Sequence, residues 1–221
     1  MKKLLALSAF TVFATAGAQT LNTQPFELGL TGGYASGLSG EVFVHAPFIA
    51  GPFGVKAGVA FTRAADAIND ESDLGAGPFS GYKQAGATES GSHLVVSLDG
   101  TYSLGEVAPG LDATLYAGGR YGMFRATEDY GSGLNTTYTS NAFGIGAGLM
   151  ASYPLSGNIS LVGDLGVDHF FDATISSNTN AANGPRSDTF APGDPSYASI
   201  DNRFVRPGTN FKARVGFKFI F

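Results

Sequence analysis

From residue 25 to the last residue, apolar and polar side chains alternate singly, and the alternation breaks only in a few stretches rich in Gly, Ser, Asn and Asp. Successive residues of a strand point to opposite sides, so a period of two is the signature of β-structure. It predicts eight strands, over residues 26–35, 40–46, 53–63, 93–104, 111–124, 140–153, 159–171 and 208–221. In the last of these Phe211, Ala213, Val215, Phe217, Phe219 and Phe221 share one face, and Lys212, Arg214, Gly216, Lys218 and Ile220 share the other. Residues 53–63 repeat the arrangement, with Phe53, Val55, Ala57, Val59 and Phe61 opposite Gly54, Lys56, Gly58, Ala60 and Thr62. Behind the apolar face of residues 140–153 stand Gly144, Gly146 and Gly148, the mark of a crowded interior or a local bend.

A strand with an aromatic row on one side and a cationic row on the other suits lipid outside and a polar lumen inside. The competing reading of the terminal strand is the edge of a secreted β-sandwich. With the apolar faces outward, the interior receives Glu27, Glu41, Asp99, Asp112, Asp164 and Asp168 together with Lys56, Arg120, Lys212, Arg214 and Lys218. An eight-stranded barrel is only about wide enough for side chains to fill it, and charges at low dielectric have to be paired and hydrogen-bonded. The expectation is therefore an interlocked charge network that closes the lumen. The alternative is that some of these side chains reach a rim, stay solvated and let water pass.

The connections alternate in length. Short turns fall near residues 50, 107 and 156, and longer segments span residues 64–92, 125–139 and 172–207. Membrane barrels have short periplasmic turns and long external loops, which puts both termini on the periplasmic side. The first external connection, Ser36 to Ser39, is short and departs from this rule. Phe26, Phe53, Tyr153 and Phe221 then mark the inner interface and Tyr34, Phe61, Tyr121, Phe143 and Phe211 the outer one, girdles built without Trp. The predicted fold is all-β: an eight-stranded antiparallel up-and-down transmembrane β-barrel with long external loops and short periplasmic turns.

Lys2 and Lys3, the apolar stretch from Leu4 to Ala16 and the small residues Ala16, Gly17 and Ala18 predict a signal peptide over residues 1–18, leaving residues 19–221 as the barrel. No later stretch has the roughly 18 consecutive apolar residues of a membrane-spanning helix. Cysteine is absent, so neither disulfides nor thiolate metal sites hold the fold. The formal net charge of −5 becomes more negative once Lys2 and Lys3 leave, which excludes nucleic acid as a main partner.

Phe221, with Phe219, Phe217 and Val215 at every second position before it, resembles the C-terminal assembly signal of outer-membrane β-barrels. Over residues 25–221 the chain resembles the small barrels of the OmpA transmembrane domain, OmpX and OmpW class. The resemblance implies residence in the outer membrane of a double-membraned bacterium, contact with its lipids and lipopolysaccharide-type lipids, and recognition by the barrel insertion machinery. OmpA continues into a peptidoglycan-binding domain; this chain stops at Phe221, so that tethering role is not expected here.

Some barrels of this size modify lipid A with a His, a Ser and a carboxylate at the rim. His45, His93 and His169 do not form a His-x-Ser arrangement. His45 reads as a lumen hydrogen-bonder, and His93 and His169 read as rim residues. Asp66, Asp70, Glu71 and Asp73 offer oxygen ligands to calcium without the spacing of an EF-hand loop, and a solvated acidic loop accounts for them as well. Thr136, Thr137, Thr139, Ser140 and the polar stretch Ser176 to Asn183 have the composition of external loops that meet a surface ligand. No cofactor is expected. The function expected is structural, in envelope integrity and surface interaction without turnover; the rivals are a narrow channel for small or hydrophobic solutes and, third, a lipid A-modifying enzyme. Phe221→Ala should lower the yield of assembled barrel far more than a matched truncation in a long loop, measured as the folded fraction recovered from outer membranes.

Overall fold

The computed structural model describes residues 25–64, 66–206 and 208–221; the leader predicted over residues 1–18 lies outside the described residues. The strands are β1 (Glu27–Ala35), β2 (Gly37–Ala50), β3 (Phe53–Ala64), β4 (Thr88–Ala108), β5 (Leu111–Gly131), β6 (Leu134–Ser156), β7 (Ile159–Phe170), β8 (Ile175–Ala181), β9 (Gly184–Phe190) and β10 (Thr209–Ile220). Two short helices, α1 (Phe79–Gln84) and α2 (Tyr197–Arg203), lie in the connections.

Eight strands form a closed antiparallel ring in the order β5, β4, β3, β2, β1, β10, β7, β6, with β6 pairing back to β5. The seam joins the two ends of the barrel: β1 pairs with β10 from Glu27 opposite Ile220 to Ala35 opposite Lys212. Phe26 and Phe221 extend it by exchanging backbone hydrogen bonds of 3.3 and 2.8 Å. Closure leaves no unpaired edge within the membrane, which a bilayer without hydrogen-bonding partners requires.

Alternation along each wall strand becomes alternation in burial. On β3, Val55, Val59 and Phe61 are exposed while Lys56 and Ala60 are buried. On β10, Phe211, Val215, Phe217 and Phe219 are exposed while Lys212 and Arg214 are buried. The aromatics expected at the two interfaces lie on the outer surface, Tyr121 half-buried and edge-tilted against Phe143 at 5.0 Å.

The outer segments differ from the sequence expectation. Residues 125–139, predicted as a loop, are the far halves of β5 and β6, which pair as far as Gly131 opposite Leu134, with an irregularity after Asp129, and turn at Ser132 and Gly133 with φ of 54° and 77°. The span 172–207 contains the β8–β9 hairpin and α2, and the span 64–92 contains α1 and the start of β4. At about 3.3 Å per residue the β5–β6 tip stands roughly 30 Å along the strand beyond Phe143. The inner half of β6 pairs with β7 between Gly144 and Ser156, and its outer half pairs with β8 between Asn135 and Ser140. A five-stranded sheet in the order β4, β5, β6, β8, β9 therefore rises from one side of the barrel wall. Its length follows from physics that changes at the membrane surface. Beyond the lipid the outward face no longer needs apolar residues, so the contrast that betrays a strand in sequence is lost while the backbone pairing continues.

The inward face of this outer sheet supplies Phe124, Ala126, Tyr138 and Ile175 to an apolar core completed by Ile68, Phe79, Ile200 and Phe204 from the connections. Each large side chain fully buried there contributes about 1.5–3 kcal/mol. Backbone bonds lock the two connections together: Asn69 N donates to Arg203 O at 2.9 Å and Val205 N to Ala67 O at 3.1 Å. The result is a cap with a water-soluble protein's interior, seated over the outer mouth of the barrel. Val59, Leu115 and Leu149 lie exposed on the lipid-facing wall. Arg at any of the three should cost about 2–4 kcal/mol near mid-membrane, and Asn183→Arg in the β8–β9 turn should cost little, as read by reversible folding into lipid vesicles.

Candidate functional site

The lumen is filled by side chains of the wall. Glu41 on β2 accepts from Lys56 Nζ on β3 at 2.7 Å and from Arg214 Nη1 on β10 at 2.6 Å. Arg120 on β5 donates to Asp99 on β4 at 2.6 Å and to Asp168 on β7 at 2.7 Å. Lys212 on β10 donates to both oxygens of Asp168 at 3.1 Å. Near the inner end Glu27 accepts from Lys218 Nζ at 2.6 Å and lies 2.7 Å from His45 Nδ1. These charges are buried, with only Lys218 partly open. The links skip strands, from β2 to β10 and from β5 to β7, so they cross the lumen as well as lining it.

Tyr116 stands at the centre. Its hydroxyl donates to Asp164 at 2.6 Å, and its ring carries Lys56 Nζ 5.1 Å and Lys212 Nζ 5.2 Å from the centroid, two cation–π contacts. The space for it comes from β6, whose inward positions are glycines. A Cβ at Gly148 would lie 2.2 Å from the Tyr116 hydroxyl, and one at Gly146 would lie 2.1 Å from Asp168 and 2.6 Å from Arg120. The glycine row of β6 thus reports a crowded lumen. Asp112, expected in this network, is exposed near the inner rim and makes no ion pair among the described residues. It is the second residue of β5, and side chains at a strand end reach solvent whichever face they start from. Its departure leaves Glu27, Glu41, Asp99, Asp164 and Asp168 against Lys56, Arg120, Lys212, Arg214 and Lys218, equal numbers of each sign.

Above the charges the lumen turns aromatic. His93, expected at the rim, points inward and is buried, edge-on to Phe124 at 5.1 Å, and Phe124 stands edge-on to Phe170 at 4.9 Å. A void of about 10 Å³ separates this layer from Arg120, Lys212 and Arg214, room for about one water. Beyond it, in the cap, Arg203 donates to Glu128 and to the Ser72 carbonyl, Tyr130 donates to Glu128, and the guanidinium lies 4.9 Å from the Phe79 ring centroid. This buried cluster escaped sequence reasoning. Glu128 and Tyr130 continue the inward register of Phe124 and Ala126, so the alternation through residues 124–130 was the available signal.

A relative of known structure fits this geometry. The major outer membrane protein of Thermus thermophilus is 32% identical, with the match covering 89% of this chain and 98% of that one at a TM-score of 0.81. The chain belongs to this family of outer-membrane β-barrels. The N-terminal β-barrel domain of Pseudomonas aeruginosa OprF is 14% identical, covering 90% and 98% of the two chains at a TM-score of 0.42. Acinetobacter baumannii CarO2 is 15% identical, covering 89% and 98% at 0.43; neither likeness is close enough to add to the argument. No protein-family model and no curated protein matches the chain. The barrel resides in the outer membrane of a double-membraned bacterium.

Phe217, Phe219 and Phe221 of this outer-membrane barrel are exposed on the lipid-facing side of the seam at its inner end. In the acidic connection, Asp73 Oδ1 accepts from Gly75 N at 2.7 Å and Gly77 N at 2.9 Å, which holds its carboxyl below the usual range. Asp70 pairs with Lys83 at 2.6 Å, and Asp66 and Glu71 are exposed. Burial pulls the Lys83 ammonium down, but its hydrogen bonds to Asp70 and Glu89 outweigh that and raise it. Among the described residues no three carboxylate or imidazole groups converge on a point that could hold a metal ion. Thr137, Thr139, Ser176, Asn178 and Asn180 lie on strands, whereas Asn183 lies in the β8–β9 turn.

His45 has the connectivity of a nucleophile–base–orienter relay, since its Nε2 lies 3.0 Å from Thr101 Oγ1 and its Nδ1 faces Glu27. Thr101 is 4% exposed, and its hydroxyl lies 2.6 Å from where a Cβ of Gly54 would stand. The Thr101 hydroxyl is thus enclosed by the wall, and the contacts tie β1, β2 and β4 together. His169 faces outward, 3.0 Å from Thr209 Oγ1. Arg120→Met should cost about 3–5 kcal/mol, because it strands the buried Asp99 carboxylate, and Arg214→Met should cost less, because Glu41 keeps Lys56. Urea unfolding in vesicles should show both losses, with Arg186→Met on exposed β9 close to neutral.

Proposed function

We propose that the protein is a non-conducting structural barrel that braces the outer membrane and carries its capped outer sheet into the space beyond, without enzymatic turnover. The observation that supports this best is the chain of buried ion pairs crossing the lumen from β2 to β10 and from β5 to β7, roofed by Phe124 and Phe170. A conduit needs a continuous file of water. Here equal numbers of opposite charges neutralise one another, and moving ions through would mean breaking pairs whose members are buried. The lipid wall, the assembly strand ending at Phe221 and the outer sheet are consistent with three classes of partner in this reading: outer-membrane and lipopolysaccharide-type lipids, the insertion machinery, and a ligand at the outer surface.

The rival is a narrow channel for small or hydrophobic solutes. Purified protein in planar bilayers should give no steady conductance at neutral pH and moderate salt. Reproducible, ion-selective unitary steps from the unmodified chain would overturn the scaffold and install the channel in its place.

A further inference from the structure

The free face of the outer sheet carries a lattice of hydroxyl and amide side chains. In register across five strands, Ser90 lies opposite Thr127, Thr127 opposite Thr137, Thr137 opposite Asn178 and Asn178 opposite Ser187. One row closer to the membrane, Ser92, Arg125, Thr139, Ser176 and Thr189 align in the same way. A third row lies nearer the tip, and Arg125 and Asp129 are the two charged side chains in the three rows. Neighbouring groups stand about 4.8 Å apart across the strands and about 6.7 Å apart along them. The opposite face of the same strands is committed to the cap core through Ala126, Tyr138 and Ile175. The lattice faces outward above the girdle residues Tyr121 and Phe143.

We infer that this face binds an extended neutral polysaccharide of the cell surface. The inference rests on the reading of the outer sheet as a platform held beyond the membrane. The side-chain chemistry decides among occupants. A protein partner needs aromatic or large aliphatic anchors at the centre of its footprint, and the central row offers none. A polyanion or nucleic acid needs clustered cations, and here Arg125 stands with Asp129 as its counterpart. Hydroxyl and amide groups, able both to donate and to accept, match a ligand that is itself a field of hydroxyls. Part of the lattice is already pre-ordered for this: Thr127 and Thr137 share a hydrogen bond of 3.0 Å, and Ser187 Oγ donates to Asn178 Oδ1 at 2.7 Å. Each contact with a sugar is weak, but a polymer meets the same groups again along and across the sheet, so the contacts add as linked sites.

The test uses the full chain in lipid nanodiscs, with retention measured on immobilised dextran, mannan and galactan and with heparin as the polyanion control. Binding to at least one neutral polymer, little changed by salt, is expected. Thr127→Val with Thr137→Val and Asn178→Ala should weaken it about tenfold or more through lost hydrogen bonds. Asn158→Ala, in the β6–β7 turn at the other end of the barrel, should leave it intact. If the triple variant fails to fold, as judged by heat-modifiable mobility, Thr137→Val alone gives the reading. No retention on any of the three neutral polymers, retention indifferent to the lattice variants, or retention on heparin only would overturn the inference. So would self-association of the chain as the sole binding event. A barrel that stays non-conducting yet binds no neutral polymer would sink this inference and leave the scaffold standing, whereas conductance steps alongside binding would do the reverse.

Discussion

A charge placed inside an eight-stranded barrel has no bulk water to fall back on, so it must be met by an opposite charge from another part of the wall. That constraint organises the molecule. Glu41 is satisfied only because Lys56 comes from one neighbour and Arg214 from beyond the other, and Asp168 only because Arg120 and Lys212 reach it from two directions. Since the partners sit on strands remote in sequence, the pairs check the register of the whole ring. A slip of one residue on β10 would turn Lys212 and Arg214 toward lipid and Phe211 and Phe217 into the lumen. Ion pairs of this kind add little net stability when compared with an apolar filling. Their contribution is to exclude alternative registers, which a lumen of interchangeable apolar side chains would tolerate.

The same wall is read against three surroundings along its length. Within the membrane it separates lipid from charge. Just above, where Phe124 and Phe170 meet, the inward face turns aromatic and the lumen becomes the floor of a protein core. Higher still, on the outer sheet, the inward face is core and the outward face meets water, the ordinary polarity of a soluble sheet. Polarity therefore inverts midway along β5 and β6 without any break in the backbone ladder. The cap needs the connections from both sides of the seam, since Ile68 and Phe204 come from segments far apart in the chain and meet only over the closed ring. Its formation is thus conditional on closure of the barrel.

The inversion explains what could be read from the sequence. The eight wall strands and their faces were legible because lipid and lumen impose opposite demands on alternate residues. The inward charges were legible for the same reason, except Asp112, where the end of a strand lets the side chain escape. Outside the membrane the outward residues become Ser, Thr and Asn, the contrast falls, and residues 125–139 and 172–207 looked like loops although they hold paired strands. The pairing of Arg203 with Glu128 was invisible on different grounds, the two being 75 residues apart and joined only by the folding of the cap. His93 was misplaced because its position near a strand end suggested a rim, whereas the cap extends the buried zone past it.

The two closures differ in kind. The ion pairs of the lumen are cross-links between strands already bonded to their neighbours, so loosening one of them does not free a segment of chain. The cap is a set of connections held by apolar contact and by a few bonds such as that from Val205 N to Ala67 O. It can open in parts while the ladders of β5, β6 and β8 persist. An external protease or ligand would therefore meet the cap as the adjustable layer and the lumen as the fixed one. The free face of the outer sheet belongs to neither closure: beyond the backbone ladder its side chains bond only within the sheet, as Thr127 to Thr137, Ser187 to Asn178 and Asn180 to the Gly133 carbonyl. They are accordingly the positions at which composition is least constrained by stability, so the near-absence of charge and of large apolar groups there calls for an explanation in what the face touches.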